Sequence, residues 1–200
     1  MTTGRIALTF DDGPAEWTEP ILDVLAEHFA LATFFVIGSA VERHPDLIRR
    51  MAAEGHEIGN HTWSHPKLAR DCDDDRVRDE LARTNTVLAE ITGRAPLRFR
   101  APHYDVDDRI RAIASELDLV HTRGDVTPPD WDPRCRAPYI TTFVVQQAGP
   151  NVIVGLHDGV PPGTARSQQA TVDAVTAIVP RLGELALECV TATTLLEAEP

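Results

Sequence analysis

The sequence is poor in cysteine, and its cysteines are badly placed for pairing. Cys72, Cys135 and Cys189 are the only ones in 200 residues, an odd number at wide spacing and without a Cys-x-x-Cys pair. This distribution argues against a disulfide framework and against a thiolate zinc site. We therefore interpret the three thiols as reduced and incidental.

Positive charge and long apolar runs are also scarce. Lysine and arginine number 19 against 31 aspartate and glutamate residues, which gives a formal net charge of −12. This excess of acid argues against nucleic acid or an anionic membrane as the main partner. No apolar run approaches the roughly 18 residues of a membrane span, and no signal peptide is visible. We expect a cytoplasmic protein if Met1 is the natural start and a secreted one otherwise, and the oligomeric state stays open.

Short apolar runs alternate with amphipathic segments along the whole chain. Strands are predicted at 5–10, 32–37, 57–60, 97–100, 118–122, 152–156 and 189–192, and helices at 18–30, 45–54, 74–92, 107–117, 139–148 and 168–182. Such alternation indicates an α/β fold in which helices cover a parallel sheet, either open or closed into a barrel. The length and the absence of a linker predict one domain over residues 1–200.

Side chains that can carry chemistry lie directly after the predicted strands. They include two adjacent carboxylates, three imidazoles and a guanidinium: Asp11, Asp12, His61, His65, His157 and Arg100. In a parallel barrel the C-terminal ends of the strands share one face, and active sites are built on that face. The sequence therefore predicts a composite site.

The segment His61-Thr-Trp-Ser-His65 is typical of a metal site. On a helical turn, a spacing of four residues puts both imidazoles on the same side. Together with a carboxylate they form a ligand set that zinc accepts, with positions left for water and substrate. Non-haem iron(II) oxygenases use the same ligand types, so the set alone leaves the chemistry open.

Taken in order, five segments resemble the polysaccharide deacetylases, the NodB-homology carbohydrate esterases of family four. The segments are Thr9-Phe-Asp-Asp-Gly-Pro14, His61-x-x-x-His65, Arg100-x-Pro102, Asp130-Trp131 and Leu156-His157-Asp158. The resemblance spans Leu8 to Gly159, and its first two segments are specific. It implies a distorted (β/α) barrel with parallel strands and outer helices. It also implies metal-dependent hydrolysis of an acyl group, most simply acetyl, on an N-acetylated sugar or oligosaccharide.

The resemblance further implies which residues hold the metal and which supply the base. Asp12, His61 and His65 would bind a divalent metal, most simply zinc, with cobalt or nickel as alternatives. Asp11 would act as the general base on the attacking water, and Arg100 would orient Asp11. Such positioned acid–base groups each contribute roughly 10²–10⁴-fold.

The remaining matched positions would supply the acid and the substrate cleft. His157 would be the general acid that protonates the leaving amine, oriented by Asp130, and the backbone N–H of His103 would stabilise the oxyanion. Four further residues would line the cleft: Tyr104, Trp131, Gly155 and Leu156.

Two positions depart from the family pattern. His103 stands where the family commonly has an aromatic residue, which changes the cleft wall but keeps the backbone N–H. Gly155 stands where a leucine usually helps to line the acyl pocket, so the pocket is either enlarged or filled from elsewhere.

Several functions are compatible with these residues. A small N-acetylated substrate, such as a glycoside or a natural-product intermediate, competes with a polymer such as chitin, peptidoglycan or acetylxylan, and the absent signal peptide favours the small one. Relatives of the family also hydrolyse cyclic amides. From other classes, a catalytically silent carbohydrate-binding relative and an iron oxygenase remain as alternatives.

Overall fold

The computed structural model describes residues 4–197, which form seven strands and nine α-helices. The strands are β1 (Gly4–Asp11), β2 (Ala32–Val36), β3 (Glu57–Asn60), β4 (Arg98–Phe99), β5 (Val120–His121), β6 (Val152–His157) and β7 (Leu187–Cys189). The helices are α1 (Thr18–Glu27), α2 (Gly38–Val41), α3 (Pro45–Ala53), α4 (Leu68–Asp71), α5 (Asp74–Thr92), α6 (Asp108–Glu116), α7 (Ala137–Gln147), α8 (Gln169–Glu184) and α9 (Ala192–Glu197). None of these helices combines the length and the apolar character that a bilayer span requires.

All strand pairs are parallel, and six strands follow the order β5-β4-β3-β2-β1-β6, while β7 pairs with the start of β1. The two free edges approach each other through the segment that follows β5. Val126 in that segment bridges to Val154 of β6, and the N–H of Asp125 donates to the carbonyl of Ile153 at 2.7 Å. The sheet is therefore curled into a half-barrel, as the predicted fold class requires.

Successive residues of β1 face opposite sides of this curled sheet, as the two-residue period of a strand dictates. Ile6, Leu8 and Phe10 pack in the main hydrophobic core beneath the helices, and the Phe10 ring stacks on Phe34 at 5.1 Å. The alternate residues face the other way, and Thr9 donates a 2.6 Å hydrogen bond to the carbonyl of Val154. Because both faces are covered, the strand is apolar almost throughout.

The register brings the ends of the strands to one rim. Asp11, the last residue of β1, pairs with Phe35 of β2 on one side and with His157 of β6 on the other. Backbone hydrogen bonds continue this pattern beyond β3 and β4, where the N–H of His61 donates to Val36 and that of Arg100 to Asn60, both at 2.9 Å. Residues from distant parts of the sequence therefore meet at one end of the half-barrel.

The prediction of the last strand is wrong in its position. The strand is Leu187–Cys189, and residues 192–197 form α9 where the pattern predicted that a strand would end. Pairing with Gly4–Ile6 of β1 sets the extent of β7. The run at 189–192 reads as a strand only because it is short and apolar, and the register with β1 is not visible in it. Helices α2 and α4 were also not predicted, since each is a single turn.

Candidate active site

A cleft of about 580 Å³ opens at the rim formed by the strand ends. Strands β1 and β6 supply its floor through Asp11, Gly155 and His157. Loops supply the remaining lining residues, which are Asp12, His61, His65, Ala101, His103, Tyr104, Thr127, Pro128, Trp131, Pro161 and Arg166. Most of the residues singled out in the sequence therefore share one cavity.

Asp12, His61 and His65 form a compact and almost fully buried cluster. Oδ1 of Asp12 lies 3.0 Å from Nε2 of His65 and 3.4 Å from Nε2 of His61. Ligand atoms of a tetrahedral zinc ion lie about 3.4 Å apart, since zinc bonds to nitrogen and oxygen are about 2.0–2.2 Å. Oδ1 is buried, and no described residue meets the geometry of a hydrogen bond to it. The cluster therefore has the donor set and the spacing that fit a divalent metal.

The tautomer of His61 suits coordination. Its Nδ1 lies 2.8 Å from the backbone carbonyl of Arg100. A carbonyl oxygen can only accept, so Nδ1 carries the proton and Nε2 presents a lone pair to the cluster.

The carboxyl group of Asp12 is ionised in this setting. Burial alone would raise its pKa, but contacts with His61 and His65 and the charge of His157 together lower the pKa far below the usual range. An ionised carboxylate is the form that binds a metal.

Residues 61–65 form a loop rather than the helical turn on which the spacing argument relied. The two imidazole rings still meet, with their centroids 5.1 Å apart. Positive φ angles at Thr62 (68°) and His65 (64°) turn the backbone instead. Such left-handed conformations cost non-glycine residues about 1–3 kcal/mol each and persist only where the surroundings impose them.

Glu80 of α5 is the residue that holds this loop. Its Oε2 accepts from the N–H groups of Trp63 at 2.9 Å and Ser64 at 2.7 Å, and its Oε1 accepts from the Ser64 hydroxyl at 2.6 Å. Sequence reasoning missed Glu80. The available signal was its position on the inward face of α5, beside Val77 and Leu81, where an unpaired charge would be costly.

Asp11 is fixed by Arg100 in the interior of the half-barrel. Nη1 of Arg100 donates to Oδ1 of Asp11 and to the hydroxyl of Thr9, both at 2.8 Å, and Nε donates to the carbonyl of Thr122 at 3.1 Å. The guanidinium also stacks 4.2 Å from the centroid of the Phe35 ring. Arg100 is fully buried, so it is held on several sides and restrains one oxygen of the carboxylate.

His157 is fixed by Asp130. Nδ1 of His157 lies 2.7 Å from Oδ1 of Asp130, while Oδ2 accepts from the backbone N–H of His157 at 2.8 Å and from the Thr171 hydroxyl at 2.9 Å. Burial would lower the pKa of His157, but the charge and hydrogen bond of Asp130, together with the charges of Asp12 and Asp11, raise the pKa to about 9. The imidazole is therefore protonated at neutral pH.

The segment Pro102–Tyr104 forms a single 3₁₀ turn beside the Asp12–His61–His65 cluster. The ring centroids of His103 and His65 lie 4.9 Å apart. The backbone is left-handed at His103 (φ 57°) and Tyr104 (φ 53°). The N–H groups of Tyr104 and Asp105 donate back to Ala101 and Pro102, whereas that of His103 donates to no acceptor in residues 4–197. This N–H is therefore available to a ligand.

The space above Gly155 is filled by other elements of the fold. A Cβ atom at this position would lie 3.1 Å from Cγ2 of Thr127 and 3.2 Å from the Tyr104 hydroxyl. The absent side chain therefore does not leave an enlarged pocket. Of the two expectations for Gly155, the one in which the space is filled from elsewhere applies. Trp131 lines the cleft as predicted and is 49% exposed.

Leu156 does not line the cleft, contrary to the prediction. It is fully buried in the main hydrophobic core beside Val154 and Phe10. Its neighbours Gly155 and His157 face the cleft, so the alternation of side chains along β6 turns Leu156 to the opposite side.

Asp158 supports the turn that carries the two adjacent carboxylates, a role that the sequence pattern did not reveal. Its Oδ1 accepts from the N–H of Gly13 at 3.2 Å, and its Oδ2 accepts from the Thr18 hydroxyl at 2.6 Å. A Cβ atom on residue 13 would approach Oδ2 to 2.2 Å, so glycine is required there. Burial raises the pKa of the Asp158 carboxyl to about 7.

The profile of the family described as "Polysaccharide deacetylase" matches residues 1–121. The chain therefore belongs to the polysaccharide deacetylase family, the carbohydrate esterases of family four with NodB homology. It is accordingly a hydrolase of the carbohydrate deacetylase type.

Individual relatives cover nearly the whole chain. It is 40% identical over 188 residues to a chitooligosaccharide deacetylase of Bradyrhizobium sp. (strain ANU 289), which covers 90% of this chain and 85% of the relative. The structure of peptidoglycan deacetylase PdaC from Bacillus subtilis matches with a TM-score of 0.87 at 34% identity, over 98% of this chain and 91% of that one. A family 4 acetyl xylan esterase from Clostridium thermocellum, solved in complex with a cobalt ion, matches with a TM-score of 0.84 at 35% identity, over 98% and 92% of the two chains.

Proposed function

We propose that this protein removes the acetyl group from N-acetylglucosamine residues of a chitooligosaccharide or a peptidoglycan fragment, with zinc as its metal. One observation carries the proposal: the Asp12–His61–His65 cluster shares a single cleft with a restrained carboxylate and a protonated imidazole. The names of the relatives supply the substrate class, since chitooligosaccharides and peptidoglycan both contain N-acetylated amino sugars.

Asp12, His61 and His65 would hold the metal. A divalent cation at this position would act as a Lewis acid, polarising the acyl carbonyl and lowering the pKa of water. Three protein ligands leave coordination positions open, as catalytic rather than structural sites require. The cobalt ion in the C. thermocellum relative supports a divalent metal in this family.

Asp11 would take the proton from the attacking water. Arg100 holds one of its oxygens at 2.8 Å and supplies a compensating charge, so the carboxylate stays oriented and able to accept. An oxygenase with the same ligand types would have no use for this pair.

His157 would donate a proton to the leaving amine. Protonation at neutral pH and an Nδ1 held by Asp130 leave Nε2 as the donor atom. The amine leaves as a neutral group only if it receives this proton, so the acid completes the hydrolysis.

The N–H of His103 would stabilise the developing oxyanion, since it has no acceptor within residues 4–197 and belongs to the cleft wall. Tyr104 and Thr127 close the space above Gly155. This closure favours acetyl over larger acyl groups.

Acetate release tests the proposal. The substrates are chitooligosaccharides, peptidoglycan fragments, acetylxylan and N-acetylglucosamine, each with and without a chelator. We expect acetate release from the oligomeric N-acetylglucosamine substrates. The chelator should abolish this release, and added zinc should restore it. Release from N-acetylglucosamine alone would replace the oligomer by a small substrate. No release from any substrate by the zinc-loaded protein would refute the proposal and favour a catalytically silent relative.

A further inference from the structure

The segment between β6 and α8 places a guanidinium in the cleft that the proposed reaction does not use. Arg166 lines the cleft, and its side chain is 21% exposed. Its Nη2 lies 3.7 Å from Oδ2 of Asp12, which is longer than a hydrogen bond. Among the cleft-lining residues of the described chain, Arg166 is the only lysine or arginine.

Three buried side-chain atoms of this segment have no hydrogen-bond partner among the described residues. Nε of Arg166 is buried and has no partner within residues 4–197. Gln168 is 1% exposed, and neither atom of its side-chain amide has a partner in that range either. Buried polar groups without partners are uncommon in folded proteins. The segment therefore has polar groups that the protein itself does not satisfy.

The charge balance of the cleft indicates that Asp12 is not the lasting partner of Arg166. In the proposed function Asp12 binds a dication, which compensates its charge and repels a nearby guanidinium. The other cleft carboxylate, Asp11, is compensated by Arg100 at 2.8 Å. Arg166 is thus a cleft cation without a permanent counter-ion among the described residues.

We propose that Arg166 is a specificity-determining residue that binds an anionic group, a carboxylate or a phosphate, carried by the N-acetylated sugar. This inference rests on the proposed function. A guanidinium presents a planar fork of N–H donors that binds either anion in a bidentate manner. The protein as a whole carries a net charge of −12, which repels anions. A cation inside the cleft is what would let an anionic substrate bind near the acetamido group.

The experiment compares three probes that share an acetamido sugar and differ in charge. They are N-acetylglucosamine, N-acetylmuramic acid (a carboxylate) and N-acetylglucosamine 6-phosphate. Calorimetry of the zinc-loaded wild type should show tighter binding of at least one anionic probe than of the neutral one, and this comparison does not require that the monosaccharides are hydrolysed. Arg166→Gln should lower the anionic-to-neutral ratio of affinities about 10–100-fold, the loss expected for a charge-assisted hydrogen bond, and Arg166→Lys should restore part of it.

Arg181→Gln is the matched control. Arg181 is an exposed arginine of α8, so the substitution changes the net charge equally but leaves the cleft lining intact. The ratio should stay at its wild-type value in this variant. A response limited to the carboxylate or to the phosphate probe would identify the source of the anion and would support the proposal in either case.

Calorimetric binding of the same probes separates this inference from the proposed function, because it needs no turnover. Absence of acetate release from the oligomeric substrates, together with weaker binding of the anionic probes to Arg166→Gln, would refute the proposed function and keep Arg166 as an anion-binding residue. An equal effect of Arg166→Gln on all three probes, or no effect, would overturn the inference and leave Arg166 only to balance the charge of Asp12.

Discussion

His61 and His157 both lie at the C-terminal end of a strand, and both engage Nδ1 in a short contact, but the acceptors differ. His61 faces the neutral carbonyl of Arg100 at 2.8 Å, whereas His157 faces the carboxylate of Asp130 at 2.7 Å. A neutral acceptor fixes the tautomer without favouring a positive charge. A carboxylate stabilises the imidazolium, and here it raises the pKa of His157 to about 9 despite burial.

In the proposed function, this difference explains how one type of side chain would serve two opposite purposes in one cleft. A metal ligand must offer a lone pair, which His61 does at Nε2. A general acid must offer a proton, which His157 does at the same ring position. The protein therefore sets the function of each histidine through the group behind it rather than through the ring itself.

The largest expected effect comes from removing each imidazole in turn. His61→Ala should lose both metal and activity, because one of three ligands is gone. His157→Ala should retain its metal and lose about 10²–10⁴-fold in kcat, the contribution of a positioned acid. Metal content after dialysis, measured beside acetate release, checks both. Full metal occupancy in His61→Ala, or metal loss in both variants, would contradict the comparison.

A smaller effect should follow when the acceptor behind His157 is made neutral, like the carbonyl behind His61. Asp130→Asn replaces the carboxylate behind His157 by a neutral group, so burial dominates and the pKa of His157 falls. The acid form is the active one, and activity disappears as pH rises through this pKa. The alkaline limb of kcat/KM should therefore move to lower pH by about one to three units. A pH profile identical to that of the wild type would show that Asp130 does not set the charge of His157.

The smallest effect concerns Glu80, which supports the loop that carries His61 and His65 and has no contact with His157. Glu80→Ala removes both carboxylate oxygens, which accept from the N–H groups of Trp63 and Ser64 and from the Ser64 hydroxyl. Metal affinity should fall about 10–100-fold, while the alkaline limb governed by His157 stays in place. Competition with a chelating dye measures the affinity. Glu90→Ala, an exposed change on the same helix, is the control and should leave the affinity unaltered.

Much of the fold was predictable because its elements leave local signals. The strand–helix alternation predicted the parallel sheet, and the first six strands lie close to their predicted positions. The error at β7 arose because its boundaries depend on pairing with β1, at the other end of the chain. The error at Leu156 was avoidable, since strand parity turns it away from the face of Gly155 and His157.

The contacts that support the site were less accessible to sequence reasoning. The ion pair between Arg100 and Asp11 was anticipated from strand ends and resemblance, and the structure contains it. Glu80 and Arg166 carry no motif, and their importance follows only from what the fold places beside them. A four-residue spacing suits a helical turn and a loop alike, so the sequence predicted that the imidazoles of His61 and His65 lie together but not the backbone that brings them together.

By itself the sequence determined the family, the parallel α/β fold and the residue types available to the site, because periodicity and short motifs are local properties of a chain. Only the tertiary structure decided which acceptor stands behind each histidine, which groups close the space above Gly155 and where the charge of Arg166 lies. These properties depend on contacts between residues far apart in sequence, such as Thr127 with Gly155 and Arg166 with Asp12. Local patterns do not encode such distances, so only the tertiary structure, in which the curled sheet brings these residues together, reveals the contacts within the cleft.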